Sequence, residues 1–210
     1  MLHLKKSVGP LLVALAIGAW AFSGSTAQAV TAGDPAPAFS ATDAQGKQVS
    51  LTDFSGKFVV LEWHNQGCPY VKKHYESGNM QRLQKKWTEK GVAWLTVISS
   101  AKGKQGAVSG AQAMAYVKKT HAHPTAVLMD TDQKVAHLYE AKTTPHMIVI
   151  SDKGTIVYDG AIDNKESTDK RDVASATNYV DQALTEAMVD KKAVTVSSTR
   201  PYGCAVKYAD

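Results

Sequence analysis

The apolar run Phe58-Val59-Val60-Leu61-Glu62-Trp63 reads as a buried strand, and the pattern from Lys72 to Lys90 reads as a helix. Between them lies Gly67-Cys68-Pro69-Tyr70-Val71, so a cysteine stands where a strand turns into a helix. A helix start presents unpaired N–H groups and the positive end of the helix dipole. Both favour a thiolate over a thiol, and the thiolate is the nucleophilic form. Pro69 suits the first helical turn, where its missing N–H is not needed. Cys68 is therefore the candidate reactive atom, and the rest of the chain is expected to present it.

Residues 1–29 are expected to be a secretory signal rather than part of the fold. Lys5 and Lys6 give a basic start, Leu11 to Phe22 an apolar core, and Ala27-Gln28-Ala29 a small-x-small cleavage pattern before Val30. The competing reading is an uncleaved anchor, but the apolar core is short for a span of about 20 residues. No other stretch of the sequence could span a bilayer. The expectation is an exported protein, periplasmic or secreted, with no stable membrane insertion after cleavage. It would have one domain over residues 30–190 and a tail over 191–210 that carries Cys204. The formal charge of +5 falls to +3 without Lys5 and Lys6. No basic block is interleaved with aromatics, so nucleic-acid binding is not inferred.

Taken in order, the pattern is strand, helix, strand, helix, strand, helix, hairpin, helix. Pro35 and Pro37 keep the segment before Phe39 extended. Ser77-Gly78-Asn79 should break the helix after Cys68, and Gly91 should end it. Val92 to Ile98 reads as a second buried strand, apolar throughout like a sheet covered on both faces. A helix is expected over Ala111 to Thr120, with Met114 and Val117 inward, and a short strand over Pro124 to Met129. Asp130-Thr131-Asp132 would cap a helix ending near Tyr139. His146 to Ile150 and Thr155 to Tyr158 form a hairpin across Asp152-Lys153-Gly154. Asp159 to Asp172 reads as a solvated polar loop, acidic but without calcium-loop spacing. Ala174 to Asp190 reads as the last amphipathic helix.

In this order and spacing the sequence resembles the thioredoxin-fold redoxins, the AhpC/TSA-type group of peroxiredoxins and periplasmic thiol oxidoreductases. The resemblance rests on residues 33–39, Gly46-Lys47, Val49-Ser50-Leu51, Gly56-Lys57, Gly67-Cys68-Pro69, Thr144-Pro145 and residues 154–163. It implies an α/β fold, thioredoxin-like, with a mixed central β-sheet flanked by helices on both faces. Asn65 to Lys72, with Gly203-Cys204-Ala205-Val206-Lys207, is similar to a peroxiredoxin-like subfamily with one cysteine in the active-site loop. The sequence departs from thioredoxin at Val71, where the second cysteine of Cys-x-x-Cys would stand. It departs from a typical peroxiredoxin at Leu61 and Asn65, the Pro and Thr positions if Cys68 is the peroxidatic cysteine.

The resemblance also assigns candidate roles. Cys68, Cys204 and Glu62 form the expected catalytic set. Glu62 holds the place of thioredoxin's buried acid, where desolvation would raise its pKa for proton transfer; alternatively it pairs with a lysine. Thr144-Pro145 resembles the cis-proline loop whose backbone pairs with an extended substrate segment. With Pro69 and His146 it forms the expected substrate contacts. Cys204 is open to three roles: resolving Cys68, forming a static staple with it, or standing alone. A bond from residue 68 to residue 204 would contribute about 4–5 kcal/mol on the entropy model. The tail is expected to be mobile. Lys72 and Lys73 either favour the thiolate or solvate the helix. His64, His74 and His146 are expected as surface or supporting groups. No metal site and no cofactor are expected, because ligand spacing is wrong. The expected partners are protein or small-molecule thiols and disulfides. The leading function is thiol–disulfide exchange; the alternatives are a thiol peroxidase and a non-catalytic binding module.

Overall fold

β3 (Val59–Trp63) forms the middle of the sheet because none of its five residues faces water. The computed structural model describes residues 30–209, and the signal expected over residues 1–29 lies outside them. Ahead of β3 come a small hairpin of β1 (Ser40–Thr42) and β2 (Gln48–Ser50). After it come α1 (Pro69–Glu76), α2 (Asn79–Thr88), β4 (Ala93–Ile98), α3 (Gly110–Thr120), β5 (Ala126–Met129) and α4 (Lys134–Leu138). The chain continues with β6 (Thr143–Thr144), β7 (His146–Ile150), β8 (Ile156–Gly160), α5 (Tyr179–Leu184) and β9 (Cys204–Ala205). The central sheet has the order β5-β4-β3-β7-β8. β3, β4 and β5 run parallel, while β7 and β8 are antiparallel, so the sheet is mixed as expected.

Alternation along β3 divides the core into two layers. Val60 meets Val71 and Tyr75 of α1, Leu83 and Trp87 of α2, and Val180 and Leu184 of α5. Val59, Leu61 and Trp63 meet Val135, Ala136 and Tyr139 around α4, together with Phe39 and Val49 from the N-terminal segment. α3 covers one end of the sheet, setting Ala113 against Ile98 and Val127. Helices therefore cover both faces, and the thioredoxin-like α/β fold is present.

The local signals account for most boundaries. The helix after Cys68 breaks where Gly78 takes a left-handed φ of 70°. Its first half begins at Pro69, and its second half ends at Thr88, before Gly91. Asp130 holds the start of α4, accepting the N–H groups of Val135 and Ala136 at 2.9 Å each. Met114 and Val117 of α3 are only partly buried; Ala113 is the buried residue of that helix. The last helix begins at Tyr179 rather than Ala174, because Asn178 caps it by accepting the Asp181 N–H. Among the described residues no helix is long and apolar enough to cross a membrane.

Two expectations about polar segments fail. The loop after Asp159 is not simply solvated: Asp163 is 2% exposed and sits against α1. The tail is not free either. Val206 donates its N–H to Lys142 O at 3.1 Å, and Ala101 donates to Lys207 O at 2.8 Å, so the tail is strapped to the domain.

His74 is buried in α1, with Nδ1 2.9 Å from Asn79 Nδ2. Burial pushes its pKa down to about 4; Lys73 adds to this, while Asp163 and Glu62 oppose it. An unfolded histidine takes its proton near pH 6.5. The folded state is therefore at full strength above that pH and loses stability as pH falls toward about 4. The loss is at most about 1.4 kcal/mol per pH unit. We expect His74→Gln to flatten the fall in urea-unfolding free energy between about pH 7 and about 5. An unchanged slope would assign that acid sensitivity to another group.

Candidate active site

Cys68 caps α1, and its placement follows from the turn before it. Asn65 Oδ1 accepts the Gly67 N–H at 2.8 Å, and Asn65 O accepts the Cys68 N–H at 2.9 Å. Gln105 closes the loop from outside, donating to Gly67 O at 3.2 Å. The sulfur is then delivered inward, and Cys68 is 0% exposed. An open groove of about 890 Å³ runs beside this loop and is lined by Gln66 and Gly67, but its lining stops short of Cys68.

Three elements converge on the sulfur. The Thr144–Pro145 peptide is cis. Cys68 Sγ donates to Thr144 O at 3.0 Å. β9 pairs antiparallel with β6, placing Cys204 opposite Thr144, where it packs against the cluster that holds Cys68. Both thiols are free.

The two sulfurs are tuned in opposite directions. Burial resists ionisation of Cys68, but donors outweigh it: the Cys204 thiol first, then the Val71 N–H and the Thr144 side chain. The Cys68 pKa consequently lies below the ordinary cysteine value. Burial, the hydrogen bond to Cys68 and the Cys68 charge push Cys204 up to about 11. Of the two thiols, Cys68 is therefore the more readily ionised.

The remaining expected residues are not all brought here. Pro69 occupies the first position of α1 and is exposed. Pro145 is buried and follows Thr144, whose carbonyl accepts from Cys68. His146 turns to the opposite face of the sheet, against Trp63, and is 2% exposed. Its Nδ1 accepts the Lys142 N–H at 3.2 Å, which leaves Nε2 to donate to Asp159 at 2.6 Å. It braces the loop backbone rather than touching Cys68. Glu62 is buried in the same layer as Cys68 but bonds elsewhere. Its carboxylate accepts from Tyr75 at 2.7 Å, Trp94 at 2.8 Å, Gln84 at 3.1 Å and Thr96 at 3.3 Å. His64 and His74, expected near the surface, are both buried.

Sequence reasoning missed a second cluster, behind the tail. Tyr202 donates its hydroxyl to Asp163, whose other oxygen lies 3.6 Å from Lys73 Nζ. Lys73 also donates to Lys165 O at 2.7 Å and is 1% exposed, so it neither solvates the helix nor stands free beside the thiol. Losing one member of a buried ion pair costs about 3–5 kcal/mol. The cluster thus fixes Tyr202 firmly, two residues before Cys204. An aromatic next to Gly203-Cys204 in the tail was the available signal.

Two measurements test this site. Cys204→Ala removes the leading donor, so the pH midpoint of Cys68 alkylation should rise; an unmoved midpoint would deny the coupling. Glu62→Ala strands the Tyr75, Trp94 and Gln84 donors, each costing about 1–3 kcal/mol in urea unfolding, and should leave that midpoint in place. A shift in the midpoint would instead tie Glu62 to the thiol.

Comparison with known proteins agrees with this geometry. Residues 32–159 match the model of the AhpC/TSA family. The thiol-disulfide oxidoreductase ResA of Bacillus subtilis is 26% identical over 130 residues, covering 62% of this chain and 67% of the relative. ResA of Bacillus cereus is 36% identical over 84 residues, covering 39% of this chain and 47% of that protein. Among solved structures, a hypothetical protein of Sinorhizobium meliloti superposes with a TM-score of 0.70 at 22% identity. It covers 87% of this chain and 97% of its own. The thioredoxin domain of a thiol-disulfide oxidoreductase from Bacteroides vulgatus gives 0.50 at 22% identity, covering 70% and 98%. A family match over more than half the sequence, on a thioredoxin-like sheet with a cysteine at its helix start, shows that this chain belongs to the AhpC/TSA family.

Proposed function

We propose that this chain is an exported thiol–disulfide oxidoreductase with Cys68 as nucleophile and Cys204 as resolving thiol. The observation that carries this reading is the pair of free thiols brought to the cis-proline loop, Cys68 bonded to Thr144 O and Cys204 paired opposite Thr144. The names of the Bacillus relatives point to the same chemistry. The signal pattern of residues 1–29 supports export to the periplasm or beyond.

The reaction has two exchanges. The Cys68 thiolate attacks one sulfur of a substrate disulfide. A mixed disulfide forms, and the other substrate sulfur leaves as a thiolate. Cys204 then loses its proton to the leaving thiolate and attacks Cys68 Sγ. The Cys68–Cys204 bond forms, and the second substrate sulfur is released. The substrate gains two electrons and the protein loses two; an external dithiol restores them. Timing follows from the environment of Cys204. Two of the influences that hold it near 11 are its hydrogen bond to Cys68 and the Cys68 charge. Both vanish once Cys68 is in the mixed disulfide, so Cys204 becomes easier to ionise when it is needed.

Pro69 and the Thr144–Pro145 backbone supply the substrate contacts in this scheme. Val71 is 1% exposed in the core, so no second sulfur at that position competes. Cys68→Ser should reduce insulin-disulfide reduction to the uncatalysed background. Cys204→Ser should halt the cycle after one turnover, with the mixed disulfide visible by mass spectrometry. Sustained turnover by Cys204→Ser would remove the resolving role. Hydroperoxide consumption without insulin reduction would replace the assignment with a peroxidase.

A further inference from the structure

β6 has two residues and one sheet partner, β9 of the chain's own tail. In that pairing the residue opposite Thr144 is Cys204, which packs against the cluster that holds Cys68. The molecule thus displays where an extended segment must lie to bring a sulfur to Cys68: antiparallel along Thr143–Thr144. That place is already filled. We propose that residues 203–206 are a self-docked strand that occupies the docking edge for an extended, disulfide-bearing protein segment. The strap must lift for such a substrate to enter, and its return expels the reduced segment. This rests on the oxidoreductase reading above and adds what governs entry to the site.

Three observations support it. Cys68 has no exposed surface while the strap is down. The strap's own hydrogen bonds to the edge are few, and Val206 is its one buried side chain. Across β6 they comprise the two-residue pairing, the Val206 N–H to Lys142 O bond, and a 3.4 Å contact from the Thr144 hydroxyl to Cys204 O. On either side it is anchored more firmly. Upstream, Tyr202 is bound to Asp163, and Thr199 to Tyr158 and Ala161. Downstream, Lys207 O accepts from Ala101 and Gln133, and the Tyr208 hydroxyl bonds Ala141 O at 2.8 Å. A weakly held span between two anchors can bow outward and return in register.

Gly203 lets the span lie flat. Its φ is 146°, and a Cβ there would come 2.2 Å from Thr144 O. Gly203→Ala therefore cannot keep the docked geometry, although the residue lies outside the core layers.

The movement also joins resolution to release. A substrate strand and residues 204–205 compete for the same backbone groups of β6. When Cys204 returns to attack the mixed disulfide, β9 re-forms and takes the edge from the departing segment. One motion delivers the resolving sulfur and removes the reduced product.

The test measures access to Cys68 separately from its ionisation. Cys204→Ala and Gly203→Ala/Cys204→Ala both lack the Cys204 thiol, so their plateau alkylation rates at high pH report access. The double variant should react at least about tenfold faster, with circular dichroism showing it folded. Equal plateau rates would overturn the strap. Hydrogen exchange on the wild-type chain provides an arm that needs no folded variant. The Val206 amide should exchange at least about tenfold faster than that of Leu61 in β3. Exchange of Val206 only at the Leu61 rate would mean that the edge opens with global unfolding alone, and would also overturn it. Faster alkylation of the double variant, with no mixed disulfide formed on oxidised insulin by either variant, would leave the strap standing and remove the redox reading.

Discussion

One sulfur shared among three chain segments sets the logic of this molecule. The turn at Asn65 aims Cys68 inward, the cis-proline loop offers it a carbonyl, and the tail offers it a second thiol. Taken alone, these contacts conflict. Burial and the Thr144 carbonyl favour the protonated form, while the helix start and Cys204 favour the anion. The donors prevail, and the imbalance makes the pair asymmetric. The two cysteines thus differ in ease of ionisation through their surroundings rather than their residue type.

The fold supplies the precision this needs. β3 is buried on both faces; it leads into the Cys68 turn, and its neighbour β7 follows the cis-proline loop. Glu62 ties β3 to α1, α2 and β4 through four accepted hydrogen bonds in a layer with no water to satisfy it otherwise. His146 serves the β7 side, bracing Lys142 and β8 behind the loop. Both residues carry chemistry-bearing side chains, yet both are spent on holding backbone in place.

The legible part of this architecture was local. A cysteine between an apolar strand and a helix can be seen in a dozen residues, and so can the Gly78 break and the β7–β8 hairpin. The start of α5 was misplaced by weighting apolar spacing over the cap at Asn178, which was present in the sequence. The anchor of the tail was hidden for a different reason. Lys73, Asp163 and Tyr202 lie in three distant stretches, and two of them are charged residues in segments that look solvated. Only folding brings a lysine, an aspartate and a tyrosine together in a dry place, and no periodicity announces it. The resemblance supplied the cis-proline loop and singled out residues 203–207, but not their pairing with β6, because those residues lie past the matched family segment.

The separation of the two thiols along the chain also bears on biosynthesis. Val71 fills the nearby position with a core side chain, so the second sulfur arrives from β9. Chains fold as they are made, from the N-terminal end. Cys68 emerges well before Cys204, and for that interval the edge of β6 has no strand of its own to cover it. In a half-made chain the Cys68 thiol therefore lacks the cover that arrives only when the last stretch docks.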